Sequence, residues 1–443
     1  MSVTSLRTKA ESQLREQFDA TVARLPGTGW VHALRASAME AFAAEGLPHR
    51  RIEEWKYTDL RERLRDVPAP GATVSPVGAA ADIDRALGPL AAVGAERLVL
   101  VDGVYRADLS KIAAGNAVIE LMSLAEMLKK APSWLAGKFA ARGGPVVALN
   151  TAFMSDGVLL KVRKDQDPGK PVLLVHARTA AEPSAVAVRN VISVETGARL
   201  TLIEAHVTLD GAARGALSNA VTDVTLADGA TCDHIKSLVD RTGSTHLATW
   251  TTTLGKDATY RGFQLTASPA LARNDINVTF SGEGGKLDLS GAFLGRGSDH
   301  IDTTLVVDHA VPACESRELF KGVLAGRAHG IFQGKIIVRP DAQKTDGKQM
   351  SQALMLSPDA QFSSKPELEI YADDVVCGHG ATCTEIEPDL LFYCRSRGIP
   401  ADEARAMLTE SFIGEAIEKI GDESVRQAIA ALAIGWLRTE PLS

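Results

Sequence analysis

The sequence predicts a mainly β protein whose core is a β-helix, or β-solenoid, set between helical N-terminal and C-terminal regions. Three observations predict it. From about 155 to 385, short β-rich runs follow one another with almost no helical pattern between them. The turns between those runs resemble one another, as expected of stacked rungs. Both ends of the chain instead repeat their apolar residues at helical spacing.

Taken in order, residues 1–65 form the N-terminal helical region. Leu34, Ala38, Ala41 and Phe42 recur at helical spacing, and Gly46-Leu47-Pro48 stops the pattern. The segment Arg50 to Leu60 sets Trp55 and Tyr57 among charges. It reads either as a docking surface or as a polar helix pinning two aromatics onto the core. Residues 66–150 combine a Pro/Gly/Ala-rich stretch to about 95, read as a linker, with a mixed α/β region. There a short strand pair turns at Asp102-Gly103, and a helix is expected around Leu121 to Leu128.

Residues 151–387 are the β core. Its strands include Val158 to Val162, Val172 to Val175, Val188 to Val194, Leu200 to Ile203, Thr222 to Leu226 and Thr304 to Val307. Thr196-Gly197, Asp228-Gly229, Asp257, Gly284-Gly285, Asp341, Asp359 and Gly378-His379-Gly380 recur as turns. Their interval is about 27 to 32 residues early and about 18 to 21 late. A β-sandwich is the competing fold, although its Asn-Gly hairpin signals are rare here. Residues 388–443 are helical again. Pro388 opens a first helix, and Ala404, Leu408, Phe412, Ala416 and Ile420 form a stripe. After Gly421-Asp422, Val425, Ile429, Leu432 and Trp436 form another.

The chain has 443 residues and a net charge of −7, which disfavours a nucleic-acid binder. The start, Met1 to Arg7, has no apolar core of a secretory signal, and no apolar run is long enough to span a membrane. Five cysteines, an odd and sparse set, do not suggest a disulfide framework and fit a reducing cytoplasm.

Cys377 and His379 are the pair that a core strand has no obvious need for. Two residues apart in a strand, they project to one face. Thiolate and imidazole are ligands for iron, zinc and copper. Gly378 and Gly380 leave room for another chain or an inorganic ligand. With Cys383 and Cys394 they can be imagined as a zinc site, but the spacing lacks paired short loops. The plainer reading is two inert cysteines and a hydrogen-bonded histidine. His300 with Asp302, and Asp308 with His309, are further metal candidates that more often prove to be solvated turn residues. Cys232 and His234 also share a face, and Cys314 lies in a loop; neither carries an assigned role. No phosphate-binding Gly-Lys-Ser/Thr loop, serine elbow or His-Glu-x-x-His motif is present, so the chain has no ATP site of its own.

Asp346-Gly347-Lys348-Gln349, Pro366-Glu367-Leu368-Glu369-Ile370, Ala372-Asp373-Asp374-Val375, Cys377 to Thr382 and Leu391 to Ile399 together resemble the C-terminal signature of the SufB/SufD family of iron–sulfur cluster assembly proteins. Leu319 to Leu324 and Gly330 to Lys335 are similar to its core, and Glu53 to Leu60 resembles the N-terminal motif of the SufD branch. Two departures point away from SufB. Ala360 stands where SufB carries a cysteine, and Gly378 and Gly380 stand where SufB has glutamates.

The resemblance implies a right-handed parallel β-helix and a non-catalytic cytoplasmic scaffold subunit, partnered by a SufB-like subunit and a SufC-like ATPase. It implies that His379, with Cys377 as the weaker candidate, meets a transient iron–sulfur cluster at the SufB–SufD interface. Phe392, Arg395 and Arg397 would dock SufC, on helices from about Pro388 to Ile420. It gives no ligand role to Cys383 or Cys394. Lys161 to Lys164 and the acids Glu367, Glu369, Asp373 and Asp374 would help orient partners. An isolated chain can pair with itself through open β edges. A SufB-type scaffold and a β-helix carbohydrate-active enzyme are the alternatives.

Overall fold

In the computed structural model, residues 7–71, 80–112, 118–139, 143–240 and 242–438 are described. The chain start at 1–6, on which the signal-peptide reading partly rests, lies outside them.

The core is a parallel β-solenoid of about eight turns. The chain alternates between two sheets, one of ten strands and one of nine, so each turn contributes a strand to both. The ladder continues through the turns. The Gly197 N–H donates to the Asp228 carbonyl (3.0 Å) and the Gly229 N–H to Lys256 (2.7 Å). Gly197, Gly229, Asp257 and Gly284 all take positive φ there, from 53° to 72°. Such a conformation favours glycine and tolerates aspartate, which is why Asp and Gly recur at these turns.

The recurrence is one turn of solenoid throughout. Cys232 pairs with Tyr260, Tyr260 with Leu287, Leu287 with Ser316, Ser316 with Gly347 and Gly347 with Cys377. The shorter late interval read from the sequence mixes turns from opposite sides of the solenoid. Gly378-His379-Gly380 is not a turn at all, because it lies within the strand Val376–Thr384.

The interior between the sheets is apolar along most of its length, with Leu174, Leu202, Leu226, Leu289, Phe293, Leu305 and Phe332 all buried. Each such side chain contributes roughly 1.5–3 kcal/mol by leaving water. The two outer faces are covered by opposite ends of the chain. On the ten-stranded sheet lie the helices Ala401–Ile417 and Glu423–Arg438, with Ile413, Ile417, Ile429 and Trp436 buried against it. The Arg296 guanidinium sits 3.9 Å from the centre of the Trp436 ring. The helices Lys9–Thr21, Trp30–Glu45 and Gly144–Phe153 pack on the nine-stranded sheet through Leu14, Phe18, Phe42 and Leu149.

Two local expectations change. The stretch read as a linker has residues 72–79 outside the described set, but it also holds a helix, Ala80–Leu87. Ile83, Leu87 and Leu90 are buried against the ten-stranded sheet. Its apolar content is low but periodic, and the sheet supplies the surface that periodicity needs. Leu121 and Met122 belong to a strand, Ile119–Ser123, and the helix starts only at Leu124.

The two ends of the solenoid differ. At the N-terminal end each sheet finishes in an antiparallel strand, Val104–Tyr105 on one and Ile119–Ser123 on the other. At the C-terminal end the sheets finish in Val376–Thr384 and Gln361–Ile370, both parallel to their neighbours and unpaired along their outer edges.

Candidate functional site

The last rung carries the Cys377–His379 pair. Its strand is set by the preceding turn: the Lys344 N–H donates to the Asp374 carbonyl (2.7 Å), and the Val376 N–H to Thr345 (2.8 Å). The register lays Cys377 over Gly347 and His379 over Gln349. These columns run down to Leu287 and Leu289, which lie in the interior core. Cys377 and His379 therefore share the inner face, at the rung where the interior meets solvent.

Cys377 is half-buried against the core, and that burial raises its thiol above the ordinary value. In the free chain it is a protonated thiol at neutral pH, so a metal must displace its proton. His379 is exposed. Gly378 and Gly380 face outward. A Cβ on Gly380 would strike the Met350 methyl at 2.7 Å, whereas one on Gly378 would meet nothing within 4 Å. Packing within this chain therefore does not require glycine at 378. A bare surface there leaves space for another molecule, beside a cleft bounded by Lys348, Met350, Glu415 and Lys419.

Beneath His379 the column holds Gln349 and Glu318, both buried. Burial pushes the Glu318 carboxyl up to about 8, against weaker opposite effects of the Ser316 hydroxyl and Arg317. Its oxygens close no hydrogen bond among the described residues. Sequence reasoning missed both residues. The signal that would have found them is the solenoid period, since each lies one or two turns before His379.

Cys383 is exposed on the same strand, and Cys394 sits half-buried in the helix Pro388–Ser396. Among the described residues, the only group of three metal-capable side chains within ligand range is His176, Glu204 and His206, far down the solenoid. The zinc arrangement of Cys377, His379, Cys383 and Cys394 does not form.

His300 and Asp302 are not solvated turn residues, and no third metal-capable side chain gathers beside them among the described residues. Both are buried. The Thr58 hydroxyl donates to Asp302 and shares a 2.8 Å hydrogen bond with His300 Nε2, while Arg273 Nη1 pairs with Asp302 at 2.6 Å. Arg273 also lies 4.3 Å from the centre of the Trp55 ring. The charged segment around Trp55 thus pins its tryptophan to the nine-stranded sheet. Asp308 pairs with Arg339 (2.9 Å), and His309 is buried against Phe280. Cys232, Cys314 and His234 are also buried.

The helix Pro388–Ser396 buries none of its residues. Phe392 is 73 % exposed, and Leu390, Tyr393 and Met407 are exposed nearby. Arg395 and Arg397 are exposed as well, with Arg397 stacked 3.4 Å from the centre of the Tyr393 ring. Aromatic and arginine side chains are the types that dominate binding hot spots. The charges expected to steer partners are partly spent within the chain: Lys161 pairs with Glu195 (2.7 Å) and Lys335 with Glu369 (2.9 Å).

An open solenoid end carrying a thiol–imidazole pair invites comparison with known proteins. The SufBD core domain of the SUF iron–sulfur cluster assembly system matches residues 176–412, and the SufBD N-terminal region matches residues 9–174. The chain belongs to the SufBD family. It is 30 % identical to the iron–sulfur cluster assembly protein SufD of Escherichia coli over 389 residues, covering 87 % of this chain and 88 % of that one. It is also 30 % identical to a SufBD family protein of Synechocystis over 408 residues, 87 % and 86 % of the two chains. Bacillus subtilis SufD is 27 % identical over 294 residues, 65 % of each. A SufBD chain works in an iron–sulfur assembly context, so the carbohydrate-active alternative has no support. No helix among the described residues is long and apolar enough to cross a membrane.

Proposed function

We propose that this chain is a SufD-type, non-catalytic subunit of a cytoplasmic SUF scaffold. A SufB-like subunit packs against its open C-terminal rung, and the nascent iron–sulfur cluster is built there as cargo. His379 offers an imidazole and Cys377 a thiol, and the partner supplies the remaining ligands. A SufC-like ATPase docks on the exposed helix through Phe392, Arg395 and Arg397, and its ATP-driven motion opens the rung to iron and sulfide.

One observation carries this reading. The pair faces inward at a rung with no further strand above it and no third ligand gathered beside it among the described residues. It is half of a site at an unpaired edge, the kind of edge to which another chain can add. The homologues named SufD support the branch. The same edges support self-pairing of the isolated chain.

The test is anaerobic reconstitution of the complex with SufB- and SufC-like partners. His379→Ala is expected to lower cluster yield at least about tenfold, the lower end of what losing even an outer partner of a metal ligand costs. A wild-type yield in a complex that still assembles would sink the ligand role. For the docking helix, a folded Phe392→Ala/Arg395→Ala/Arg397→Ala variant that co-purifies with SufC undiminished removes that surface from the scheme.

A further inference from the structure

A second group of metal-capable side chains lies inside the solenoid, away from the open end. His176, on Val172–Arg178, pairs in register with His206, on Arg199–Thr208. Their rings stack in parallel with centres 4.4 Å apart. His246, on Thr245–Leu254 of the other sheet, meets His206 edge-on at 4.6 Å. Ligand atoms of His176, Glu204 and His206 all lie within 4.8 Å of one another.

The group is buried, yet its nitrogens go unused. The Nε2 atoms of His176, His206 and His246 have no hydrogen-bond partner among the described residues. His206 Nε2 is 3.7 Å from Glu204 Oε2, too long for a hydrogen bond. Unsatisfied buried polar atoms are costly, and three together call for an explanation. They border a cavity of about 30 Å³, room for an ion or a water.

The surroundings suit a cation. The carboxylate is oriented from behind: His234 Nε2 bonds Glu204 Oε1 (3.1 Å), and His234 Nδ1 bonds the Tyr260 hydroxyl (2.7 Å). Such outer partners typify metal ligands. Two cations stand near. Arg178 is held by Ser184 (2.7 Å) and Asp102 (3.6 Å). Lys236, which pairs in register with Glu204, donates to Asn274 (3.0 Å).

We propose that the solenoid interior binds a divalent first-row transition ion through His176, Glu204 and His206, with His246 as a neighbouring third imidazole. Two imidazoles and one carboxylate form a set suited to iron(II), and zinc or cobalt can enter the same ligands. This site does not depend on the reading of the open rung.

The test is anaerobic titration of the metal-stripped full chain with Co(II), repeated with Fe(II). One saturable equivalent is expected, with the intense visible absorption of low-coordinate cobalt and a raised melting temperature. Cys377→Ser/His379→Ala should bind as wild type does, and His176→Ala/His206→Ala should bind at least about tenfold more weakly. Because losing two buried rings can unfold the chain, the single, smaller change His176→Gln is the second variant, with the same weakening and an unchanged metal-free circular dichroism spectrum expected. The proposal is overturned by no saturable binding to wild type, by wild-type affinity in a folded His176 variant, or by loss of the site in Cys377→Ser/His379→Ala.

Discussion

The chain contains the same three-residue pattern twice, with opposite outcomes. Cys232-Asp233-His234 and Cys377-Gly378-His379 occupy the same two columns of the same sheet, and five steps of in-register pairing connect them. In the lower rung both side chains are sealed, and His234 is spent on Glu204 and Tyr260. In the upper rung no strand follows, so Cys377 is half-covered and His379 is open. Residue type and direction are shared. Whether another turn of solenoid lies above separates a structural histidine from an available ligand.

Exchanging the two histidines for alanine gives the largest contrast. His234→Ala strands the buried Glu204 carboxylate and should destabilise the fold by about 3–5 kcal/mol, read as a lower urea midpoint. His379→Ala should shift the same midpoint by under about 0.5 kcal/mol. Equal effects would erase the distinction between the rungs.

Acid titration probes the sealed rungs. Histidines held neutral in the folded chain take up protons more readily once unfolded. Stability is therefore full above about 6.5, the unfolded value, and falls as pH drops toward the folded value of about 3 for His176. Each such residue contributes about 1.4 kcal/mol per pH unit at most within that window. A urea midpoint flat from pH 7 to 4 contradicts their burial.

Glu318 gives a smaller effect of opposite sign. Its folded value of about 8 lies above that of an unfolded glutamate, so the folded chain binds the extra proton, and stability falls as pH rises toward 8. Glu318→Gln should be near neutral at pH 5 and gain about 4 kcal/mol by pH 9. A gain independent of pH would mean that the carboxyl is already ionised.

The smallest signal is kinetic. Under native conditions Cys232 should resist alkylation until the chain unfolds, because it is buried. Cys377 should react slowly, and faster as pH rises through its elevated range. Site-resolved mass spectrometry distinguishes them, and equal protection of both would mean that the end rung is closed.

Much of this was legible in the sequence. β-Branched runs, Asp and Gly at turns needing positive φ, and 3.6 periodicity at both ends are local signals, and the structure follows each of them. The long motifs around Cys377 and Pro366 were enough for the family. The helix Ala80–Leu87 was obscured by its Pro/Gly/Ala-rich surroundings, and His300 and Asp302 looked solvated because their partners Thr58 and Arg273 lie 244 and 29 residues away from Asp302.

Local chemistry thus determined which residues extend, which coil, and that Cys377 and His379 point one way. Tertiary structure decided what lies above and below them. Contacts between rungs join residues roughly 27 to 32 positions apart, and that offset varies from turn to turn with loop length. A sequence pattern therefore cannot say that Glu318 and Gln349 stack beneath His379, or that His176, His206 and His246 converge. Burial, which sets the chemistry of every one of these groups, is a property of the stack and not of the strand.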